Sequence, residues 1–428
     1  MTQPAAIADH GAVPTVGPSM LSQRLRQIKL APTIAMSERA ASMRREGHDV
    51  IPMALGELDF DTPGHVIDRA HAAACEGLTR YTAPDGAPFI KDAVIAKLAR
   101  DNGLTYARDE IHVASGCKQV IFNSLSATLD PGDEVVVFTP AWVSYIDMVS
   151  FCGGHPVPVE TSAAEGFLPC PDRLAAAMRP RTKWVILNTP NNPTGAVYPG
   201  DLLARIGDVV ASHPRAMVLS DEIYEHLVFD GIGHQSFPGA VPALRSRTLL
   251  VNGVSKTYAM TGWRVGFAAG PDWLIEAMAR VQSQTAGSSN SIGQAAAAAA
   301  LTGQQSQIGD WCTLLQERRE IALDILRQSN RLVPFRPQAA FYVFVDVARC
   351  IGASTPAGKV LHSDADVAEY LLETALVATV PGSAFDHSPF LRLSFAVDRA
   401  RVEEGCRRIV AALEGLSGPD GRAPEGED

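Results

Sequence analysis

Five short, almost wholly apolar runs recur through the middle of the chain: residues 111–114 (IHVA), 134–138 (EVVVF), 184–187 (WVIL), 217–219 (MVL) and 249–251 (LLV). None alternates apolar with polar, so each reads as a strand buried on both faces. Helical stretches separate them; 120–129, for example, is closed by Asp130-Pro131-Gly132. Buried strands alternating with helices require a mostly parallel central sheet with helices on both faces, an α/β fold. Chemistry in such sheets gathers beyond the carboxyl ends of the strands. Ser115-Gly116, Thr139-Pro140-Ala141-Trp142, Asn188, Asp221 and Lys256 all stand at such ends.

After Gln294 the rhythm changes. A long helical stretch over 310–327, FYVFV (341–345), a helix near 365–374 and LRLSF (391–395) predict a smaller α+β domain. With 428 residues, one large and one smaller domain is the natural division. The expected units are a flexible N-terminal arm (1–30), a segment packing with the small domain (31–60), a large domain (61–300), a small domain (301–415) and a disordered tail (416–428). Residues 21–46 carry helical spacing interrupted at Pro32, and VIPMALGELDFDTP (50–63) reads as a short strand and a Gly-containing turn.

Hydrophobic content of 46% with 20% charge belongs to a soluble globular protein. A net charge of −10 argues against nucleic acid as a partner. Seven scattered cysteines without a CxxC pair fit reduced thiols in a cytoplasm rather than disulfides or a zinc site, and no metal is expected. The N-terminus lacks a basic start followed by an apolar core, so it does not read as a secretory leader. The small-apolar run 295–301 is too short to span a bilayer and predicts a tightly packed helix.

The densest chemistry lies in TLLVNGVSKTYAMTGWRVG (248–266). Lys256 follows a buried strand, where desolvation lowers an amine's pKa and makes it a better nucleophile. Ser255 and Arg264 add a hydroxyl and a planar cation suited to a phosphate. Together they suggest a Schiff base between Lys256 and pyridoxal phosphate, against the plainer reading of a surface lysine on a loop. Asp221 is either a helix N-cap or a buried carboxylate paired with a protonated pyridine nitrogen. Tyr224, three residues on, favours the second by reaching the ring's phenolic oxygen. Asn192 lies between Pro190 and Pro193, which would hold its amide rigid toward that same oxygen; Asn192-Pro193 and Thr139-Pro140 are candidate cis bonds.

Ser115, Gly116, Cys117 and Lys118 precede a helix, whose first N–H groups suit a phosphate. Trp142 could lie flat on a pyridine ring or simply be core. Arg392, alternating with Leu391 and Leu393 in an apolar strand, needs an anion: a substrate carboxylate or an intradomain salt bridge.

Taken together, GELDFDTP (56–63), YTAPDG (81–86), SGCKQVIFN (115–123), TPAWVSY (139–145), NTPNNPTGAVY (188–198), SDEIYEHL (220–227), VNGVSKTYAMTGWRVG (251–266), PGSAF (381–385) and LRLSFA (391–396) resemble a fold-type I, PLP-dependent aminotransferase of class I. The chain is most similar to the bacterial aspartate/prephenate subgroup, from about Pro32 to Val410. The resemblance implies Lys256 on the cofactor aldehyde, Asp221 on the pyridine nitrogen and Tyr224 with Asn192 at the phenolic oxygen. It implies Trp142 on the ring face, and Ser255, Arg264 and residues 115–118 around the phosphate. Arg392 would take the substrate α-carboxylate with help from Asn192 and Gly56, and Lys118 a distal carboxylate. Tyr81 would reach the cofactor of the neighbouring subunit in a homodimer with shared sites.

The expected reaction moves an amino group between an L-amino acid and a 2-oxo acid by a ping-pong route, with aspartate or glutamate and 2-oxoglutarate as the leading pair. Prephenate, aromatic or unusual amino acids are alternatives, because Leu58 replaces the family's usual proline and Ala141 its common tyrosine. A C–S lyase would instead release pyruvate and ammonia. A DNA-binding regulator would carry a further domain ahead of residue 31, where only a short arm of little charge stands.

Overall fold

The computed structural model describes residues 21–26, 28 and 32–418; most of the expected arm and most of the expected tail fall outside them. Seven strands form the large sheet: β1 (Ile111–Ala114), β2 (Glu134–Thr139), β3 (His155–Glu160), β4 (Thr182–Asn188), β5 (Met217–Asp221), β6 (Thr248–Gly253) and β7 (Gly266–Ala269). Their order is β1-β7-β6-β5-β4-β2-β3. The neighbours from β3 through β2, β4 and β5 to β6 are parallel, whereas β7 runs antiparallel between β6 and β1. The five apolar runs are all strands, but β6 does not close the series. The small residues of β7 (GFAA) carry too little β signal to be read, and the prolines of HPVPVE hid β3, which takes the sheet edge where prolines are tolerated.

Helices cover both faces. Cys117–Thr128, Ser144–Phe151 and Asp272–Gln284 contribute to one apolar layer with Val135, Val137, Ile186, Leu219 and Val251. Val136, Val185, Leu187 and Val218 point to the other, against the helix Gly200–Ala211. Alternate residues of one strand therefore serve opposite cores, which explains why the runs are apolar throughout. The helix Ser291–Thr302 buries Ala295, Ala296, Ala297 and Ala300, as its small residues predict, and Asn290 caps it by accepting from the N–H groups of Ile292 and Gly293.

A second, antiparallel sheet is built from β8 (Val333–Phe335), β9 (Tyr342–Asp346), β10 (Val380–Pro381) and β11 (Phe390–Ser394) in the order β10-β11-β9-β8. The helices Ser306–Leu326 and Arg399–Glu414 pack together beside it. In place of the strand expected near residue 50, Ile51 makes a single bridge to Val377, and the Met53 carbonyl accepts from the Ser394 N–H at 2.7 Å. The chain entering the large sheet thus passes first along the small one. The helical stretch is divided as expected, into helices Gln23–Arg26 and Pro32–Arg45, the second opening on Pro32.

Candidate active site

The carboxyl ends of β4, β5 and β6 converge on Asp221, which is 4% exposed. Asn188, the last residue of β4, donates through Nδ2 to the Asp221 carbonyl at 3.0 Å and accepts the Asn192 N–H at 2.9 Å. The Asp221 carboxylate accepts from Tyr145 Oη at 2.7 Å and from the Ile223 N–H at 3.3 Å. Burial pushes this carboxyl up to about 6, and the two donors hold it from rising further. Residues 223–226 form a turn, not a helix, so Asp221 is no helix cap.

Lys256 lies in the turn after β6 and donates to the Gly56 carbonyl. Burial draws its amine down to about 8, and the nearby Arg392 adds to the effect. A buried ionic cluster anchors the strand leading to it. Lys97 pairs with Glu225, whose carboxylate also accepts from Asn252 Nδ2 at 2.7 Å and Asn102 Nδ2 at 2.8 Å.

A cup forms where β1 and β7 meet the helix Cys117–Thr128. Gly116 precedes that helix at φ 86, and no side chain caps the helix start. A Cβ on Gly116 would sit 2.5 Å from Arg264 Nη2, so a glycine is what lets the guanidinium lie here. Arg264 itself adopts φ 56 and donates to the Thr261 carbonyl at 2.7 Å and, more weakly, to the Ser115 carbonyl at 3.4 Å. Lys118 Nζ stands 5.0 Å from the centre of the Trp142 ring. Burial, then the charge of Arg264, lowers the pKa of Lys118. The Cys117 thiol donates to the Asn252 carbonyl at 3.1 Å and is pushed well up by burial, which makes it a poor nucleophile.

The opposite wall belongs to the small sheet. Arg392, in the middle of β11 and 3% exposed, donates to Asn192 Oδ1 at 3.0 Å and to the Ala54 carbonyl at 2.8 Å. Its guanidinium lies 4.3 Å from the centre of the Tyr342 ring and 5.1 Å from that of Phe385. Its Nε is buried without a partner. Among the described residues no carboxylate pairs with it, so the salt-bridge alternative is overturned. Tyr342 Oη sits 3.1 Å from Tyr224 Oη. Between the two walls opens a cavity of about 640 Å³, with Glu38, Ala41 and Arg44 of the helix Pro32–Arg45 also lining it.

Residues 48–409 match the family described as aminotransferase class I and II. The chain belongs to that family. It is 45% identical to the aspartate aminotransferase of Rhizobium meliloti strain 1021, over 97% of this chain and all of the relative. It is 43% identical to an aspartate/prephenate aminotransferase of Cereibacter sphaeroides, over 93% of this chain and all of that protein. Among solved structures, a Rhizobium meliloti aspartate aminotransferase superposes with a TM-score of 0.90 at 46% identity, covering 93% of this chain and 100% of that one. The Thermus thermophilus aspartate aminotransferase with maleate gives 0.85 at 40% identity, covering 92% and 99%.

In this aminotransferase the cavity brings together Gly56, Cys117, Lys118, Trp142, Asn192, Asp221, Tyr224, Ser255, Lys256, Arg264 and Arg392. Ser115 and Gly116 stand behind it, in contact with Arg264. Tyr81 is 97% exposed and lies outside its own chain's cavity. Leu58 and Ala141 are both buried, and neither lines the cavity, so neither widens it directly. Thr189-Pro190 is cis as well as the two expected bonds.

Three lining residues were not foreseen: Tyr145, Tyr342 and Asn188 in its bonding role. Tyr145 stands three residues after Trp142 in the sequence, and the structure brings the two rings edge-to-face at 5.2 Å.

Aminotransferases of this class depend on pyridoxal phosphate, and the donor set fits that molecule. A glycine-only approach of Arg264 to an uncapped helix start, with Ser255 beside it, could hold a phosphate dianion. A buried carboxylate could hold a ring nitrogen's proton, and a half-desolvated lysine could hold an aldehyde.

Proposed function

We propose that this aminotransferase moves the amino group of aspartate or glutamate to a 2-oxo acid, 2-oxoglutarate being the leading acceptor. One observation carries the reading: Lys256, Asp221 and Arg264 on the large-sheet wall face, across one cavity, a buried Arg392 that pairs with no carboxylate among the described residues. Arg264, Ser255 and the start of the helix Cys117–Thr128 would hold the cofactor phosphate. Asp221 would hold its ring nitrogen, Tyr224 and Asn192 its phenolic oxygen, Trp142 its face and Lys256 its aldehyde carbon. When bound, the cofactor supplies an electron sink for the pair left by a broken Cα–H bond.

The chain's own residues do the rest. Arg392 binds the substrate α-carboxylate through its planar fork. That contact fixes which substrate bond faces Lys256. The neutral amine of Lys256 would take the α-proton as a general base and then, as a general acid, give it to the aldehyde-derived carbon of the cofactor. Lys118, beside Trp142, would meet a distal carboxylate. The Thermus relative is described with maleate, a dicarboxylate, which supports an acidic substrate. Prephenate is the second reading, supported by the name of the Cereibacter relative.

A homodimer with shared sites, each Tyr81 reaching the partner's cavity, goes with this reading and is supported by the exposure of Tyr81. A cytoplasmic setting is supported by seven cysteines without a disulfide. Among the described residues no helix is long and apolar enough to cross a membrane.

A donor scan tests the substrate assignment. The yellow protein is mixed with each amino acid in turn, and loss of its long-wavelength absorbance is timed. Aspartate and glutamate should react fastest. Slow reaction with both, beside fast reaction with an aromatic donor, would overturn the acidic substrate and leave the chemistry standing.

A further inference from the structure

We propose that Tyr145 is a positioning residue that keeps Asp221 ionised and aimed, so that its carboxylate can meet a protonated ring nitrogen. The inference rests on the role given to Asp221 above. Asp221 has one side-chain hydrogen-bond donor among the described residues, and it is Tyr145, at 2.7 Å. Tyr145 is 2% exposed on the helix Ser144–Phe151 and held edge-on to Trp142 at 5.2 Å, so its hydroxyl has little freedom to turn away. The other carboxylate oxygen has only the long 3.3 Å contact from the Ile223 N–H.

The groups facing Asp221 divide by effect. Glu222, next in the chain, opposes its ionisation, whereas Lys256, from the turn after β6, favours it. Cys117 and Tyr224 stay protonated, because burial pushes both well up. Tyr145 also stays protonated, since burial and the charge of Asp221 both raise its pKa far above the working range. It is therefore a donor at every pH the protein meets. A fixed donor stabilises the carboxylate over the carboxylic acid. Asp221 already sits near 6, so losing the donor carries it toward neutrality at pH 7. A neutral acid cannot form the ion pair.

The test uses the apo full-length chain and pyridoxamine phosphate, which forms no covalent bond with Lys256. Affinity is read by tryptophan fluorescence from pH 6 to 9 for wild type, Tyr145→Phe, Asp221→Asn and the double variant. Tyr145→Phe should bind roughly 10- to 100-fold more weakly at pH 7, the range for a hydrogen bond to a charged group. The loss should shrink as pH rises, because Asp221 ionises again. In the Asp221→Asn background the phenylalanine change should add nothing.

Tyr145→His returns an N–H to the position and should recover affinity toward wild type, which also covers failure of the phenylalanine variant to fold. Affinity and pH profile coinciding with wild type in Tyr145→Phe, or equal loss in the phenylalanine and histidine variants, would overturn the donor role. Normal binding by Asp221→Asn would instead sink the role of Asp221 itself, a different failure.

Discussion

On the large-sheet wall Arg264 is exposed, seated in a left-handed turn, and, among the described residues, bonded only to two backbone carbonyls. On the small-sheet wall Arg392 is 3% exposed, bonded to Asn192 and Ala54, pressed over two aromatic rings, and left with one buried N–H unpaired. The first arginine is solvated until a ligand arrives, and it shares the work with a helix start and Ser255. The second has lost its water already, and the fold bears that cost. An anion reaching Arg392 meets a charge in a poorly screened place, whereas an anion reaching Arg264 must displace water. One wall thus holds its ligand through several modest contacts, and the other selects through a single strong one.

The largest effect should come from the residue that both walls face. Lys256→Ala should lower kcat by at least about 10,000-fold, the upper end for loss of a positioned acid–base group. Cofactor should still bind, because the phosphate and ring-nitrogen contacts remain. Near-normal turnover would remove the premise of the comparison. Arg392→Ala comes next. Removing one partner from a buried charged contact costs about 3–5 kcal/mol, or roughly 100- to 5,000-fold in kcat/KM. The affinity of the apo protein for pyridoxamine phosphate, which forms no bond with Lys256, should be unchanged. A large drop in that affinity would mean that the walls do not work separately.

The walls also differ in how far the sequence revealed them. Asp221, Lys256 and the 115–118 turn each follow an apolar run, so they could be located from strand pattern alone. Arg392 stood out because a charge in an apolar strand requires a partner. Its real partners could not be read, since Asn192 and Ala54 lie 200 and 338 residues away in sequence. Tyr145 and Tyr342 were concealed for a related reason: a buried tyrosine usually reads as core, and only the three-dimensional fold shows where its hydroxyl ends. The antiparallel β7 was missed because GFAA has small side chains, yet smallness is what it contributes. A Cβ on Gly266 would lie 2.3 Å from the Cys117 nitrogen, so the cup closes only around glycine.

Arg264→Ala sharpens the comparison from the other side. Its loss should weaken cofactor binding roughly 10- to 100-fold, the value of a charge-assisted hydrogen bond. At saturating cofactor, KM for the amino acid should stay near wild type. A raised KM with unaltered cofactor affinity would exchange the roles of the two arginines.

The mildest test is one of pH, and it concerns how the walls act on each other. Burial lowers the Lys256 amine to about 8, with Arg392 the next contributor. An amine attacks an aldehyde only when neutral. The rate at which apo protein takes up pyridoxal phosphate should therefore rise about tenfold per pH unit below 8 and level off above it. Arg392→Ala removes a positive charge that disfavours the protonated amine, so the inflection should move upward in pH. Stopped-flow absorbance measures both curves. An inflection near the ordinary lysine value of 10.5 in wild type would mean that the amine is solvated in the apo protein. An inflection near 8 that does not move in the variant would assign the whole shift to burial, and the small-sheet wall would then act on the substrate alone.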